Sequence, residues 1–234
     1  SPMDQKVREE VSEIFPYLGT HPSRYEAPGS EELAKAFGVT LDEPVQRELW
    51  PGYVGPFIRA PGIEDAGEEE VPELEAAAGV FGLLPFWAKD NKLARKTYNA
   101  RSETVASKPS FRDAWKHARH CIIPARAIYE PDWRSGKAIP TRITRVDGAL
   151  LGIAGLWERW KNPEGVEVLS FTMLTVNADD HPLMRNYHRP GDEKRMVVIL
   201  PAGAYRDWLR APVEHSAEFM RQYPADRLIA EATG

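Results

Sequence analysis

Apolar positions along the chain follow two rhythms. Residues 4–15 place Val7, Val11, Ile14 and Phe15 at helical spacing with charges between them, and Pro16 ends the pattern. Ser30 is expected to cap a second short helix carrying Leu33, Ala36 and Phe37, and Gly38 to close it. From residue 79 onward the period shortens. Short apolar runs bounded by turn residues at 79–86, 121–129, 141–146, 150–156, 169–176 and 196–200 predict strands. Helices are expected at 111–118, 205–210 and 217–222, while 41–62, rich in Pro and Gly, and the acidic stretch 63–76 have no strong period. Many short strands with few helices predict an α+β fold: a mixed, largely antiparallel twisted sheet or open β-barrel with a few short peripheral helices.

In domain terms this reads as an N-terminal extension over 1–21, with Ser1-Pro2-Met3 compatible with a cloning remnant, and one domain over 22–234 ending in short helices. Composition narrows the class. No apolar run reaches the roughly 18 residues a membrane span needs. The first residues lack the order of a secretory signal. A single cysteine, Cys121, excludes an internal disulfide and a multi-cysteine zinc site, so a reduced, cytoplasmic protein is expected. The formal net charge of -5 hides an asymmetry. Glu64 to Glu75 holds seven acids and no base, whereas Lys89 to Arg119 holds nine bases against three acids. The basic segment is what a phosphate backbone needs, and equally what a solvated helical face presents.

Four clusters carry candidate chemistry. Phe86 and Trp87 beside Lys89 put aromatic faces next to positive charge, an arrangement for stacking bases and meeting phosphates, or simply a core aromatic pair. In Tyr98–Thr104, an extended chain alternates Asn99, Arg101 and Glu103 onto one side, too polar to face an apolar core. The apolar run from Cys121 finishes at Glu130: a carboxyl partly withdrawn from water has the raised pKa of an acid–base catalyst, whereas a strand-end Glu taken alone is usually just solvated. His181 and His188 stand seven residues apart with Pro182 between them, which does not match a one-face helical ligand pair, so no metal is expected. A single catalytic histidine ahead of a buried strand is the better functional reading, and a loop histidine with no role stands equally beside it.

These clusters, in this order, resemble the SOS response-associated peptidase (SRAP) family. Phe81 to Asp90 resembles its Trp-Gly-Leu-Ile-Pro-x-Trp segment. Asn99 to Thr104 followed by Lys108 to Arg112 is nearly its signature. Cys121 to Ala125 running on to Tyr129-Glu130, then Ala154 to Glu158, Phe171 to Thr175, and His188 ahead of Arg195 to Leu200, complete the series over roughly residues 22–212. The resemblance implies a protein that recognises abasic sites in single-stranded DNA. It also implies no cofactor, no membrane, and a cytoplasmic location that becomes nucleoid-associated when DNA is damaged. In the family an N-terminal cysteine, exposed by autocatalytic loss of Met, traps the ring-opened sugar aldehyde as a thiazolidine.

Carried over, the catalytic residues would be Asn99 at the amine and sugar, Glu130 shuttling protons and His188 assisting ring opening or reversal. Arg101, Trp87, Arg24, Lys89 and Arg112 would bind DNA. The chain departs from the family at its opening, Met-Cys-Gly-Arg-Tyr. Here His21-Pro22-Ser23-Arg24-Tyr25 puts Pro22 at the nucleophile position. Phe81 also replaces a Trp, and Pro131-Asp132-Trp133 follows Glu130 where the family often has Trp at once. Three readings stand: an abasic-site processing protein with its covalent step absent or altered, a non-catalytic single-stranded DNA-binding module, and a peptidase, for which no nucleophile has a convincing neighbourhood.

Overall fold

A computed structural model describes residues 24–62 and 73–233. The expected helix at 4–15, the Pro22 position and most of the acidic stretch lie outside the described residues.

Five strands close into a ring. β3 (Val54–Arg59) runs antiparallel to β4 (Glu75–Phe81) along its whole length and meets β6 (His120–Ala125) at Ile58 and Ile122. β6 pairs with β9 (Leu151–Lys161), and β9 with β10 (Glu167–Asn177), both antiparallel. The ring shuts where β10 runs parallel to β4 at Ser170–Val80 and Phe171–Phe81. Closure removes the exposed edges that such apolar strands would otherwise present. Phe57, Phe81 and Phe171 fill the interior, with ring centroids 5.7 Å apart along the chain of contacts. Room for them comes from small residues: a Cβ on Gly79 would sit 2.8 Å from the Phe57 ring, and one on Gly155 would collide with Ile123 and the Thr172 carbonyl.

The second sheet is antiparallel throughout, in the order β12 (Leu228–Ala232), β8 (Ile139–Arg145), β7 (Ala127–Asp132), β1 (Arg24–Glu26), β2 (Glu48–Leu49). Beyond the barrel, β10 is flanked by β5 (Asn99–Arg101), parallel, and β11 (Arg195–Val197), antiparallel. Among the described residues three short helices lie on the outside: α1 (Ser30–Phe37), α2 (Arg112–Lys116) and α3 (Tyr205–Arg210). The α+β class with short peripheral helices therefore holds.

Several boundaries differ from expectation for local reasons. The 41–62 stretch contains barrel strand β3 despite Pro56, which is tolerated because β3 is laddered fully on one side only. The run 121–129 is two strands, not one: the chain turns at Arg126, whose N–H donates to the Glu26 carbonyl at 2.8 Å, and passes from the barrel into the second sheet. Glu130 consequently lies within β7 rather than at a strand end. The 79–86 strand ends at Phe81, because Gly82 at φ +128 packs against the Ala94 backbone where no Cβ fits. Ser30 is the first residue of α1 rather than its cap. Gly29 is the cap, its N–H donating to Glu32 Oε1 at 3.4 Å, and Gly38 in the left-handed region closes the helix. The helix expected at 217–222 is a 3-10 segment, Val213–Phe219.

Candidate functional site

The second sheet meets the loop that precedes β11 at a buried corner. Alternation along β7 turns Ile128 and Glu130 inward and Tyr129 to the other face. Glu130 is 1 % exposed, and neither carboxyl oxygen takes a hydrogen bond from a described residue. Burial alone holds this carboxyl well above the ordinary carboxylate range.

His188 Nε2 lies 3.3 Å from Glu130 Oε2. Its better-directed partner is the Arg195 carbonyl at 3.1 Å, and since a carbonyl only accepts, Nε2 carries the hydrogen. His188 is 1 % exposed and has φ +72, a left-handed conformation that costs a non-glycine residue about 1–2 kcal/mol. Three bonds hold it there. Its N–H donates to the Pro131 carbonyl at 3.0 Å, while Lys194 Nζ donates to the carbonyls of His188 and Arg189 at 3.2 and 2.7 Å. A strained histidine beside a buried, unsatisfied carboxyl is a costly arrangement to keep in a core, and such costs gather at functional sites.

The surroundings are phenolic. Burial first, then the negative field of Glu130, pushes the Tyr98 hydroxyl up to about 12. Burial, with Asp132 and Glu130 adding to it and Arg134 opposing, also raises Tyr187. Asn99 follows Tyr98 at the head of β5, half-buried, opposite Met173 of β10. Tyr98, Glu130, Tyr187 and His188 thus assemble at one corner, with Asn99 following Tyr98 in the chain; the sequence points to Asn99, Glu130 and His188.

Other expected positions fall elsewhere. β5 ends at Arg101, and the chain turns through 102–105, so Glu103 leaves the alternation. Arg101 is bound on both sides of its fork by Glu193, at 2.8 and 3.3 Å. Glu103 instead holds Arg195, a 1 % exposed guanidinium that sequence reasoning misses, at 2.8 and 2.9 Å. Arg24 lies on the face of the second sheet away from Glu130. It stacks on Tyr129 at 3.9 Å, pairs with Glu48 at 2.8 Å, and borders a cleft of about 590 Å³.

Trp87 and Lys89 are exposed and line a groove of about 320 Å³ with Lys92 and Lys96, on the crossover from β4 to β5. That crossover is anchored by Trp160 Nε1 donating to the Ala88 carbonyl at 2.7 Å. Arg112 is exposed at the start of α2. The basic segment is only partly available. Arg101 is tied to Glu193, and Arg119 to Asp113 and Glu158, whereas Lys89, Lys92, Lys96, Lys108, Arg112 and Lys116 are exposed.

His181 is structural: its Nε2 donates to the Tyr223 carbonyl at 2.6 Å, and its Nδ1 accepts from the Met184 N–H at 3.0 Å. Among the described residues no group of three or more His, Cys, Asp or Glu is arranged to hold a metal ion, and no helix is long and apolar enough to cross a membrane. Cys121, the sole cysteine, is fully buried, and burial pushes its thiol well above the usual range.

The chain is 37 % identical over 154 residues to Abasic site processing protein YoqW of Bacillus subtilis, a match covering 64 % of this chain and 65 % of that protein. With Abasic site processing protein HMCES of Gallus gallus it shares 29 % identity over 139 residues, covering 48 % of this chain and 41 % of the relative. The chain therefore spans less than two thirds of the length of either. A crystal structure of a Bordetella bronchiseptica protein is 52 % identical, with a TM-score of 0.81, covering 91 % of this chain and 99 % of that one. One from Bacteroides thetaiotaomicron, 21 % identical with a TM-score of 0.72, has the same fold. The profile of the family described as SOS response associated peptidase (SRAP) matches residues 24–232, and the chain belongs to that family.

Proposed function

We propose that this chain binds single-stranded DNA and processes the aldehyde of ring-opened abasic sites at the Glu130–His188 corner. The observation that carries the reading is the buried carboxyl of Glu130, raised by burial above the ordinary carboxylate range and 3.3 Å from a strained His188. An aldehyde attacked by an amine gives a carbinolamine, whose hydroxyl leaves as water only if protonated. A neutral carboxyl supplies that proton and, once ionised, takes one from the attacking nitrogen. Relatives named as abasic site processing proteins support the substrate class. Asn99 would orient the sugar, Trp87 would stack on a base, and Arg24, Lys89, Arg101 and Arg112 would meet phosphates.

A thiazolidine needs a thiol beside the amine. Pro22 carries none, and the Cys121 thiol is buried between strands. Were the His21–Pro22 peptide bond hydrolysed, the freed secondary amine of Pro22 would attack the aldehyde, water would leave, and the expected adduct is an iminium that persists only when reduced. The same buried thiol favours a second reading, a binding module without covalent chemistry.

One experiment separates them. Single-stranded DNA with one abasic site is mixed with the protein, with and without borohydride, and run on a denaturing gel, and binding is followed on a native gel. A crosslink seen only with borohydride supports processing. Retained binding with no crosslink supports the binding module. No binding at low salt, or binding that does not weaken with salt, overturns both, because each phosphate contact to a single strand gives a slope of about -0.7 in log affinity against log salt.

A further inference from the structure

Next to the Glu130 corner, four donors converge on one carboxylate. Arg101 Nη1 and Nη2 reach Glu193 at 2.8 and 3.3 Å, Asn177 Nδ2 at 3.0 Å, and Arg195 Nη1 at 3.1 Å. These donors come from three strands: Arg101 from β5, Asn177 from β10 and Arg195 from β11, the last two paired across the ladder. Arg195 is further fixed by Glu103, by the Thr175 carbonyl at 3.0 Å and by Thr175 Oγ1 at 3.1 Å. The cluster is thus held on strands, whereas its occupant is not. Glu193 belongs to the loop between His188 and β11, which turns at Gly191. The side chains of Arg101 and Glu193 are 46 % and 36 % exposed, so water and a second anion reach the pair.

Two guanidiniums and an amide around one carboxylate also describe a receptor for a phosphodiester, whose two non-bridging oxygens have similar size and charge. We propose that Arg101, Asn177 and Arg195 form a phosphate site for the DNA backbone that the chain's own Glu193 occupies when DNA is absent, so that the strand binds by displacing Glu193. This rests on the DNA reading above and adds the gate. The Arg101–Glu193 hydrogen bonds, followed by those from Asn177 and Arg195, hold the Glu193 carboxyl down at about 2, so the placeholder stays charged across the pH range in which the protein would work.

The exchange reaches the acid–base corner through two short connections. The residue after Glu193 is Lys194, whose ammonium holds the His188 and Arg189 carbonyls, and the residue after that is Arg195, whose carbonyl accepts from His188 Nε2. Lifting Glu193 therefore pulls on the residues that keep His188 in its left-handed conformation. A phosphate arriving beside the abasic sugar is in this way reported to the histidine that would act on it.

The test is a cycle of variants on the full chain, with an unmodified oligothymidylate as the probe and anisotropy at low salt as the readout. Glu193→Gln removes the placeholder's charge and is expected to bind the probe about fivefold more tightly than wild type, the equivalent of one exposed ion pair. Asp192→Asn makes the same change in net charge, one residue away, at an exposed side chain with no hydrogen bond to a described residue, and is expected to bind within about twofold of wild type. Arg101→Gln weakens binding, and in its background Glu193→Gln loses its advantage.

Equal tightening by Glu193→Gln and Asp192→Asn, or tightening that persists without Arg101, would mean general electrostatics and would overturn the gate. Unchanged or weaker binding by Glu193→Gln, with wild type still binding DNA, also overturns the gate and leaves the DNA reading standing. Failure of every variant and of wild type to bind overturns both. Thermal melts identify a variant that has merely lost its fold. Should Glu193→Gln prove unfolded, Glu193→Asp, which shortens the reach to Arg101 while keeping the charge, is expected to tighten binding in its place. Failure to do so counts against the proposal.

Discussion

Two buried histidines show how the same side chain can serve a fold or a reaction. His120 sits on β6, stacked on Trp208 of α3 with centroids 3.9 Å apart. Its Nδ1 donates to the Trp208 carbonyl at 2.7 Å and its Nε2 accepts from Ser216 Oγ at 2.8 Å. Every polar atom is matched by a neutral partner, and burial, partly offset by the Trp208 carbonyl, lowers its pKa to about 4. His188 has the opposite surroundings: a left-handed backbone, and at 3.3 Å a carboxyl that no described residue satisfies. His120 ties the C-terminal segment to the barrel at little cost to its own chemistry. The His188 corner carries strain and desolvation that His120 does not, and that contrast is why the proposed function is placed there.

The strongest way to break the comparison is Glu130→Gln. Loss of a general acid–base group is expected to slow formation of the borohydride-trapped adduct by about 10²–10⁴, measured on the denaturing gel as a time course. Stability should move the other way. A carboxyl raised on folding contributes most at low pH and becomes a liability as pH rises from the unfolded value of about 4.3 through the folded one. The variant, which never ionises, is therefore expected to melt at the same or higher temperature than wild type at pH 8. A large loss of stability there would mean that Glu130 is a structural strut.

Next in size is the acid response of His120. Its folded value of about 4 lies below the unfolded value of 6.5, so the unfolded chain binds the extra proton first. Its stabilising contribution is complete above pH 6.5 and is lost as pH falls towards 4, about 3 kcal/mol in all at 1.36 kcal/mol per unit. Denaturant titrations at pH 7 and pH 4.5 on wild type and on His120→Gln read this. The wild type should lose more stability on acidification than the variant. Equal losses would place the acid-sensitive contact elsewhere.

Much of this is legible in the amino-acid sequence alone. The strand-rich α+β class follows from short apolar runs, and Asn99, Glu130 and His188 stand out as polar residues set against apolar strands. What the sequence conceals depends on long-range geometry. Arg195 reads as one more base in Asp192-Glu193-Lys194-Arg195, and only the pairing of β10 with β11 buries it. Arg101 reads as an open phosphate contact, because nothing local announces that Glu193, 92 residues on, occupies it. β3 is hidden by Gly55 and Pro56, residues that mark a loop in isolation but suit a barrel strand with a half-empty ladder and a close neighbour in Leu49. Arg24 is a DNA contact only by the family resemblance of its Arg-Tyr opening. The register with Tyr129 puts it on the face away from Glu130, so a contact there would touch the strand at a distance from the reacting sugar.

The smallest effect sharpens the contrast most finely, because it asks what each histidine is worth to the fold. His181→Asn removes an Nε2–H from the Tyr223 carbonyl and an acceptor from the Met184 N–H, both buried, and unsatisfied groups of this kind cost about 1–3 kcal/mol each. His188→Asn also loses a bond, the one to the Arg195 carbonyl, but asparagine is among the few side chains at ease in the left-handed region. Relief of strain and loss of the bond are each about 1 kcal/mol, so the net change should lie within about 1 kcal/mol of zero. Urea denaturation of the two variants at pH 7 gives the comparison directly. A His188→Asn protein as damaged as His181→Asn would return His188 to the class of His120, a core residue whose strain the fold requires. A His188→Asn protein that is stable yet unable to form the trapped adduct would show a residue kept in place for its chemistry.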